Sequence, residues 1–227
     1  MKIMLTAMAA GLAVSSAALA TPSTGFESQT LSYGFQLSPG GATLDFAKFD
    51  TSTSNPNVTR ILQKVTITLN ADVGANVTAE NDNIDPADFF GVNLTGVVTL
   101  DIGGLGANTF VLQNATAPGG VAGSDGVPGS GPDFYDFGFV SGSDSDMEMT
   151  FDDALLANFV GPGSITANLF GSGGFAVSGA SNATLVISDF GASGSVTIEY
   201  AYKLIPSPGS AALIGLAGVV VAGRRRR

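Results

Sequence analysis

The segment SGSDSDMEMTFDD places five carboxylates between positions 144 and 153: Asp144, Asp146, Glu148, Asp152 and Asp153. Oxygen donors at alternate positions suit calcium, which takes about six to eight hard ligands. An EF-hand is excluded. Counted from Asp144, the sixth residue is Met149 where that loop needs glycine, and the twelfth is Leu155 where it needs glutamate. The alternation equally describes a strand whose solvated face is charged, so two readings stand for the group: calcium ligands, or surface charge. Glu80, Asp82, Asp85 and Asp88, in ENDNIDPADFF, carry the same two readings. Paired carboxylates could also act as acid and base on a glycosidic bond. With nineteen acidic residues some close pair is inevitable, however, and a chain with no tryptophan and four tyrosines has few rings on which to stack a sugar.

Other chemistries are removed by what is absent. The chain has no cysteine and no histidine. Zinc, haem and iron–sulfur centres lose their usual ligands, and thiol nucleophiles and histidine-based triads are impossible. No disulfide can form, so packing or bound ions must hold the fold. The glycine-rich stretches are not followed by Lys-Ser/Thr or by a helix signal, which rules out a phosphate loop. The expectation is a protein that is not an enzyme, with calcium as the one cofactor its residues could hold. All nineteen acids fall between positions 21 and 204, against only Lys48, Arg60, Lys64 and Lys203. Such a surface repels nucleic acid and anionic lipid.

The elements that must position these residues read as strands. In KVTITLN, Val65, Ile67 and Leu69 alternate with Thr66 and Thr68. In SVTIEYAYKL, Val196, Ile198, Tyr200, Tyr202 and Leu204 alternate with Thr197, Glu199, Ala201 and Lys203. Gly91 to Ile102 is a third such run, and LSYGFQL, NVTAE, TFVLQ, FAVSG and ATLVIS are others. Turn chemistry at Ser38-Pro39-Gly40-Gly41, Ser54-Asn55-Pro56-Asn57 and Gly171-Ser172-Gly173-Gly174 reads as the punctuation between them. Asn114 to Asp133 reads as an exposed loop, and Asp152 to Val160 as one short helix capped by an aspartate. The expected fold is all-β: an antiparallel β-sandwich of jelly-roll type, one domain over residues 21–204.

The two ends read as addresses. Residues 1–20 carry Lys2, an apolar run and Ala18-Leu19-Ala20, the order of a secretory signal peptide cut after Ala20. Residues 205–227 hold Pro206, Ser207, Pro208 and Gly209, then an apolar run, then Arg224, Arg225, Arg226 and Arg227. As a helix, the run from Ala211 to Ala222 would be about 18 Å long, short of a hydrocarbon core of about 30 Å. Four arginines after it would keep the C-terminus in the cytoplasm and the body outside. The physics is that of a temporary membrane anchor.

The three-part order of this tail resembles the sorting signal of bacterial PEP-CTERM proteins, in which a Pro-Glu-Pro motif precedes an apolar segment and a basic end. Ser207 stands where that family usually has glutamate. The resemblance implies recognition by an exosortase and delivery to the cell surface or extracellular matrix, often alongside exopolysaccharide. Within the body, Phe49-Asp50, the strand Val65 to Leu69 and the pair Glu80-Asn81 resemble the start of the choice-of-anchor E domain. The stretch from GSGGFAVSG to IEYAYKL resembles its end. That domain implies no catalytic residues. The expected function is a structural or adhesive surface protein, the alternative a calcium-dependent or polysaccharide-binding module. Its expected partners are signal peptidase, an exosortase-like enzyme, and exopolysaccharide or other surface proteins, with no nucleic acid.

Overall fold

The computed structural model describes residues 23–37, 39–55 and 58–206. Ala18 and Ala20, and in the tail Ser207, Pro208, Gly209 and Arg224 to Arg227, lie outside the described residues. Eight strands follow one another: β1 Ser23–Gln36, β2 Gly40–Ala47, β3 Val58–Asn81, β4 Gly91–Ile102, β5 Leu105–Thr116, β6 Phe134–Thr150, β7 Ser164–Ser178 and β8 Ala183–Pro206. One helical turn, α1 Asp153–Leu156, and a 3-10 turn, Ala157–Phe159, join β6 to β7. The first sheet has the order β1-β8-β3-β6 and the second β2-β7-β4-β5. Every strand of the first half thus pairs antiparallel with its counterpart from the second half: β1 with β8, β2 with β7, β3 with β6, β4 with β5. This is one long hairpin rolled into a two-layer jelly roll.

The tip of that hairpin is a two-residue turn. Gly103 has φ 60° and Gly104 φ 88°. A two-residue hairpin of type I′ needs positive φ at both positions, which glycine enters without steric cost. From this tip the period-two pattern builds the core. Val65, Ile67, Leu69, Ala71, Val73, Ala75, Val77 and Ala79 of β3 are all buried, and Val196, Ile198 and Tyr200 of β8 lie in the same core cluster. The second sheet contributes Val92, Leu94, Val98, Leu100 and Ile102 from β4 and Ala107 and Val111 from β5. Burial of apolar area at roughly 25 cal/mol per Å² is what holds a cysteine-free sandwich together.

Two sequence expectations are corrected. Gly171-Ser172-Gly173-Gly174 is no turn but the middle of β7, paired with β4 throughout. Its glycines give room to side chains above them: a methyl group on Gly171 would lie 2.6 Å from Phe35, and one on Gly173 2.7 Å from Phe190. The stretch Asn114 to Asp133 is not simply an exposed loop. It completes β5, then buries Ala117, Val121 and Asp133, with Val121 bridged to Ala87. The short capped helix forms as expected, the Asp152 carboxylate accepting from the Ala154 and Leu155 N–H groups.

The sandwich has two dissimilar poles. At one, Ser23 pairs with Leu204 and Val58 with Pro206, so both ends of the described chain meet there. The Gly103-Gly104 turn belongs to the same pole, its carbonyl accepting from the Asn158 amide at 3.0 Å. Arg60 closes this pole. Its guanidinium lies 4.1 Å from the Tyr202 ring centre and 4.5 Å from that of Phe49, pairs with Glu27 and donates to the Asp50 carbonyl at 3.0 Å. The opposite pole carries the loops of residues 82–90, 117–133 and 179–182.

Two tyrosines tie strands together, one across the layers and one within the first sheet. Tyr200 of β8 donates its hydroxyl to the Ala47 carbonyl at the end of β2, 3.0 Å away, and so joins the sheets. Tyr33 of β1 donates across β8 to the Asn70 carbonyl of β3 at 3.0 Å. Burial pushes both phenols up to about 12, with Asp72 adding to the effect on Tyr33. The folded pKa values lie above the ordinary 10.0, so this contribution to stability is full below pH 10 and is lost as pH rises through about 12. Thermal melts across this window should show the midpoint falling steeply, with Tyr33 and Tyr200 ionising as the fold is lost. A constant midpoint, with tyrosinate absorbance rising in the intact protein, would contradict it.

Candidate functional site

Asp144, Asp146 and Glu148 lie on β6, at the side of the sandwich where the last strand of the first sheet meets the last strand of the second, and Asp152 and Asp153 follow at the start of α1. Asp144 Oδ2 accepts from the Phe110 N–H at 2.8 Å, and Asp146 Oδ2 from the Asn108 N–H at 2.8 Å. Phe110 and Asn108 sit two apart on β5, so their N–H groups point the same way, out of the sheet edge. The two carboxylates therefore stand in for the carbonyls of a missing neighbour strand. Asp152 caps α1. Glu148 and Asp153 are exposed. The five acids, open to a calcium or a surface-charge reading, thus divide among separate tasks, and among the described residues no group of three or more carboxylates gathers around one point. On the opposite side, the Gln29 amide of β1 donates to the Ala47 carbonyl at 2.8 Å and accepts from the Ala47 N–H at 2.9 Å, lacing β1 to β2.

The second acidic group divides as well. Glu80 is buried and accepts from the Gly129 N–H at 2.7 Å, and Asp82 accepts from the Thr184 hydroxyl at 3.0 Å. Asp85 and Asp88 are exposed.

A concave site that spacing alone did not reveal lies on the outer face of the first sheet, a groove of about 960 Å³. Its floor is two rows across all four strands. Gly34, Ser193, Asp72 and Ser143 stand abreast in one, and Gln36, Gly191, Gly74 and Ser141 in the next. Glycine and serine occupy positions where longer side chains would fill the concavity. Two bulges bend the sheet around it. In β8 the register shifts opposite Gly74 and Asn76, and in β6 opposite Val77 and Thr78. Bulges of this kind sharpen twist and re-aim side chains.

The β8 bulge holds Asp189 at φ 56°, the one non-glycine positive φ among the described residues. Such a conformation costs about 1 kcal/mol outside glycine, least for aspartate and asparagine. It turns the Asp189 carboxylate into the groove, where it accepts from the Asn76 amide at 3.0 Å. Beyond the β6 bulge, the Phe139 ring covers Gly74 so closely that a methyl group there would lie 2.6 Å from it, yet Phe139 remains 64% exposed. Two carboxylates, three serine hydroxyls and one amide thus face an exposed ring. No lysine or arginine lines the groove. That donor set suits a neutral, hydroxyl-rich chain and disfavours phosphate, sulfate or uronate.

No family model matches the chain, and no curated protein matches it. Among solved structures it is similar to that of infectious bursal disease virus, Gx strain, at 14% identity, over 91% of this chain and 50% of that one, with a TM-score of 0.21. It is also similar to the VP2 subviral particle of infectious bursal disease virus, at 15% identity over 97% of this chain and 55% of that one, with a TM-score of 0.14. The chain spans about half the length of these structures. Superposition at this level carries nothing about fold or role.

The edge arrangement predicts the behaviour of two variants. Replacing Asp144 and Asp146 together by alanine removes both acceptors and should destabilise the fold by roughly 1–3 kcal/mol, read from urea unfolding. It should also promote edge-to-edge association, read by light scattering. The double asparagine variant keeps a carbonyl acceptor at each site and should lose less than half as much. Equal loss in both variants would show that charge, not acceptance, matters.

Proposed function

We propose that this chain is an exported bacterial surface or matrix protein with an adhesive role, and that its groove takes up a strand of neutral exopolysaccharide. In this reading signal peptidase removes residues 1–20. The C-terminal segment, with Pro206 to Gly209 and Arg224 to Arg227, holds the protein briefly in the membrane until an exosortase-type enzyme sorts it. The observation that carries the proposal is the groove: a glycine- and serine-floored channel, open to solvent, with polar groups of both kinds and one exposed ring.

The placement of the ends supports the same reading. Ser23 and Pro206 share a pole, so a tether at either end would leave from there. Gly191, in the groove, stands on the same strand as Pro206, roughly 50 Å away at about 3.3 Å per residue. A sandwich tethered at that pole holds its groove clear of the surface. The acid-rich exterior favours hydration and excludes polyanions, which narrows the polymer to an uncharged one.

Affinity electrophoresis against neutral and acidic polysaccharides tests this. Retardation by one or more neutral polymers is expected, weakened about tenfold in Phe139→Ala, the equivalent of a stacking contact of about 1.4 kcal/mol. Ser193→Gln, which fills the floor, should abolish it. Absence of retardation by any neutral polymer, or full binding in both variants, would refute the groove as the binding surface.

A further inference from the structure

At the pole away from the chain ends, the loop of residues 124–133 brings two carboxylates to the same glycine, Gly131. Asp133 is fully buried, with 0% exposure. Its Oδ2 accepts from the Asp125 N–H at 2.9 Å, but its Oδ1 has no hydrogen-bond partner. Asp125 is arranged in the same way: Oδ1 accepts from the Val127 N–H at 2.8 Å, which leaves Oδ2 over. The two leftover oxygens converge. A methyl group placed on Gly131 would lie under 3.0 Å from both Asp125 Oδ2 and Asp133 Oδ1. Gly131 also has φ 101°, so only glycine leaves that space open at low cost.

The loop around them is fixed from below. The fully buried Asn81 amide donates to the Asp85 and Ala122 carbonyls, each at 2.9 Å, and the Asn81 N–H donates to the Asp133 carbonyl at 2.9 Å. Glu80 takes the Gly129 N–H.

Desolvating an unpaired anion costs several kcal/mol, and a cation shared by the two carboxylates would remove that cost. Among the described residues no lysine or arginine stands there. Lys48, Arg60, Lys64 and Lys203, the basic residues between positions 21 and 204, pair or stand beside residues of the other pole. We propose that Asp125 and Asp133 bind a hard divalent cation, calcium by its donor chemistry, one free oxygen from each carboxylate being a ligand.

The chain has no histidine or cysteine to favour a softer metal. An irregular loop rich in carbonyls, open to water on the Asp125 side, suits calcium's flexible shell better than the strict octahedron of magnesium. The site is separate from the Asp144 to Asp153 segment and independent of the groove. An extracellular calcium module of this kind binds at roughly 0.1–1 mM.

Differential scanning fluorimetry of the full chain, chelator-treated and then titrated to about 10 mM calcium or magnesium, reads the site. Calcium should raise the melting temperature by several degrees, and magnesium by much less. Asp125→Asn, at an exposed position, should fold as wild type and lose the calcium response. Asp133→Asn should lose the response too, and without calcium should melt no lower than wild type, because it removes the like-charge contact. The Asp144→Ala/Asp146→Ala variant should keep the full response. A wild-type melting temperature unmoved by calcium, an equal shift with magnesium, or an undiminished calcium shift in Asp125→Asn would overturn the assignment.

Discussion

A two-layer sandwich leaves unpaired backbone N–H and C=O groups along the outer strands, and everything else in this protein depends on how they are satisfied. Such edges invite pairing with another chain. Here the answer is side chains that imitate a strand. Asp144 and Asp146 accept the outward N–H groups of Phe110 and Asn108, and the Gln29 amide forms a two-way bridge with Ala47. Each of these contacts also joins one sheet to the other, so the two layers are fixed at both sides as well as through their shared core. A protein without disulfides needs that fixing, since core burial alone does not prevent one sheet from sliding on the other.

Charge is divided along the same frame. The four basic residues of the body gather at the pole that holds both chain ends, where Arg60 fits between Phe49 and Tyr202. The loops at the far pole carry acids with no lysine or arginine among the described residues beside them. The groove lies between, on the outer face of the first sheet, where two bulges bend the sheet and glycine and serine keep its floor low. The attachment, adhesion and ion binding proposed for this chain would thus fall on separate parts of the frame.

The strands were legible because alternation is enforced by burial: Val65, Ile67 and Leu69 turn inwards and no other register would hide them. The capping role of Asp152 was legible for the same local reason. The work of Asp144 and Asp146 was not, because their partners are 34 and 38 residues away in sequence, on the other sheet. Alternating acids look alike whether they face water, a metal or a neighbouring edge. Glycine misled at Gly171 to Gly174, where it makes room for Phe35 and Phe190 rather than turning the chain. The groove was not legible for a related reason: small residues that form a floor leave no pattern until four strands are set abreast. The buried end of the 114–133 stretch was hidden by its own composition, since glycine, proline and aspartate read as solvated loop.

Native-state hydrogen exchange at the Asn108 and Phe110 amides tests most directly whether carboxylates close the sandwich edge. If they do, both amides exchange as slowly as the ladder amides between β4 and β5, although no backbone ladder pairs them. Exchange of both at the rate of an open edge would contradict the account.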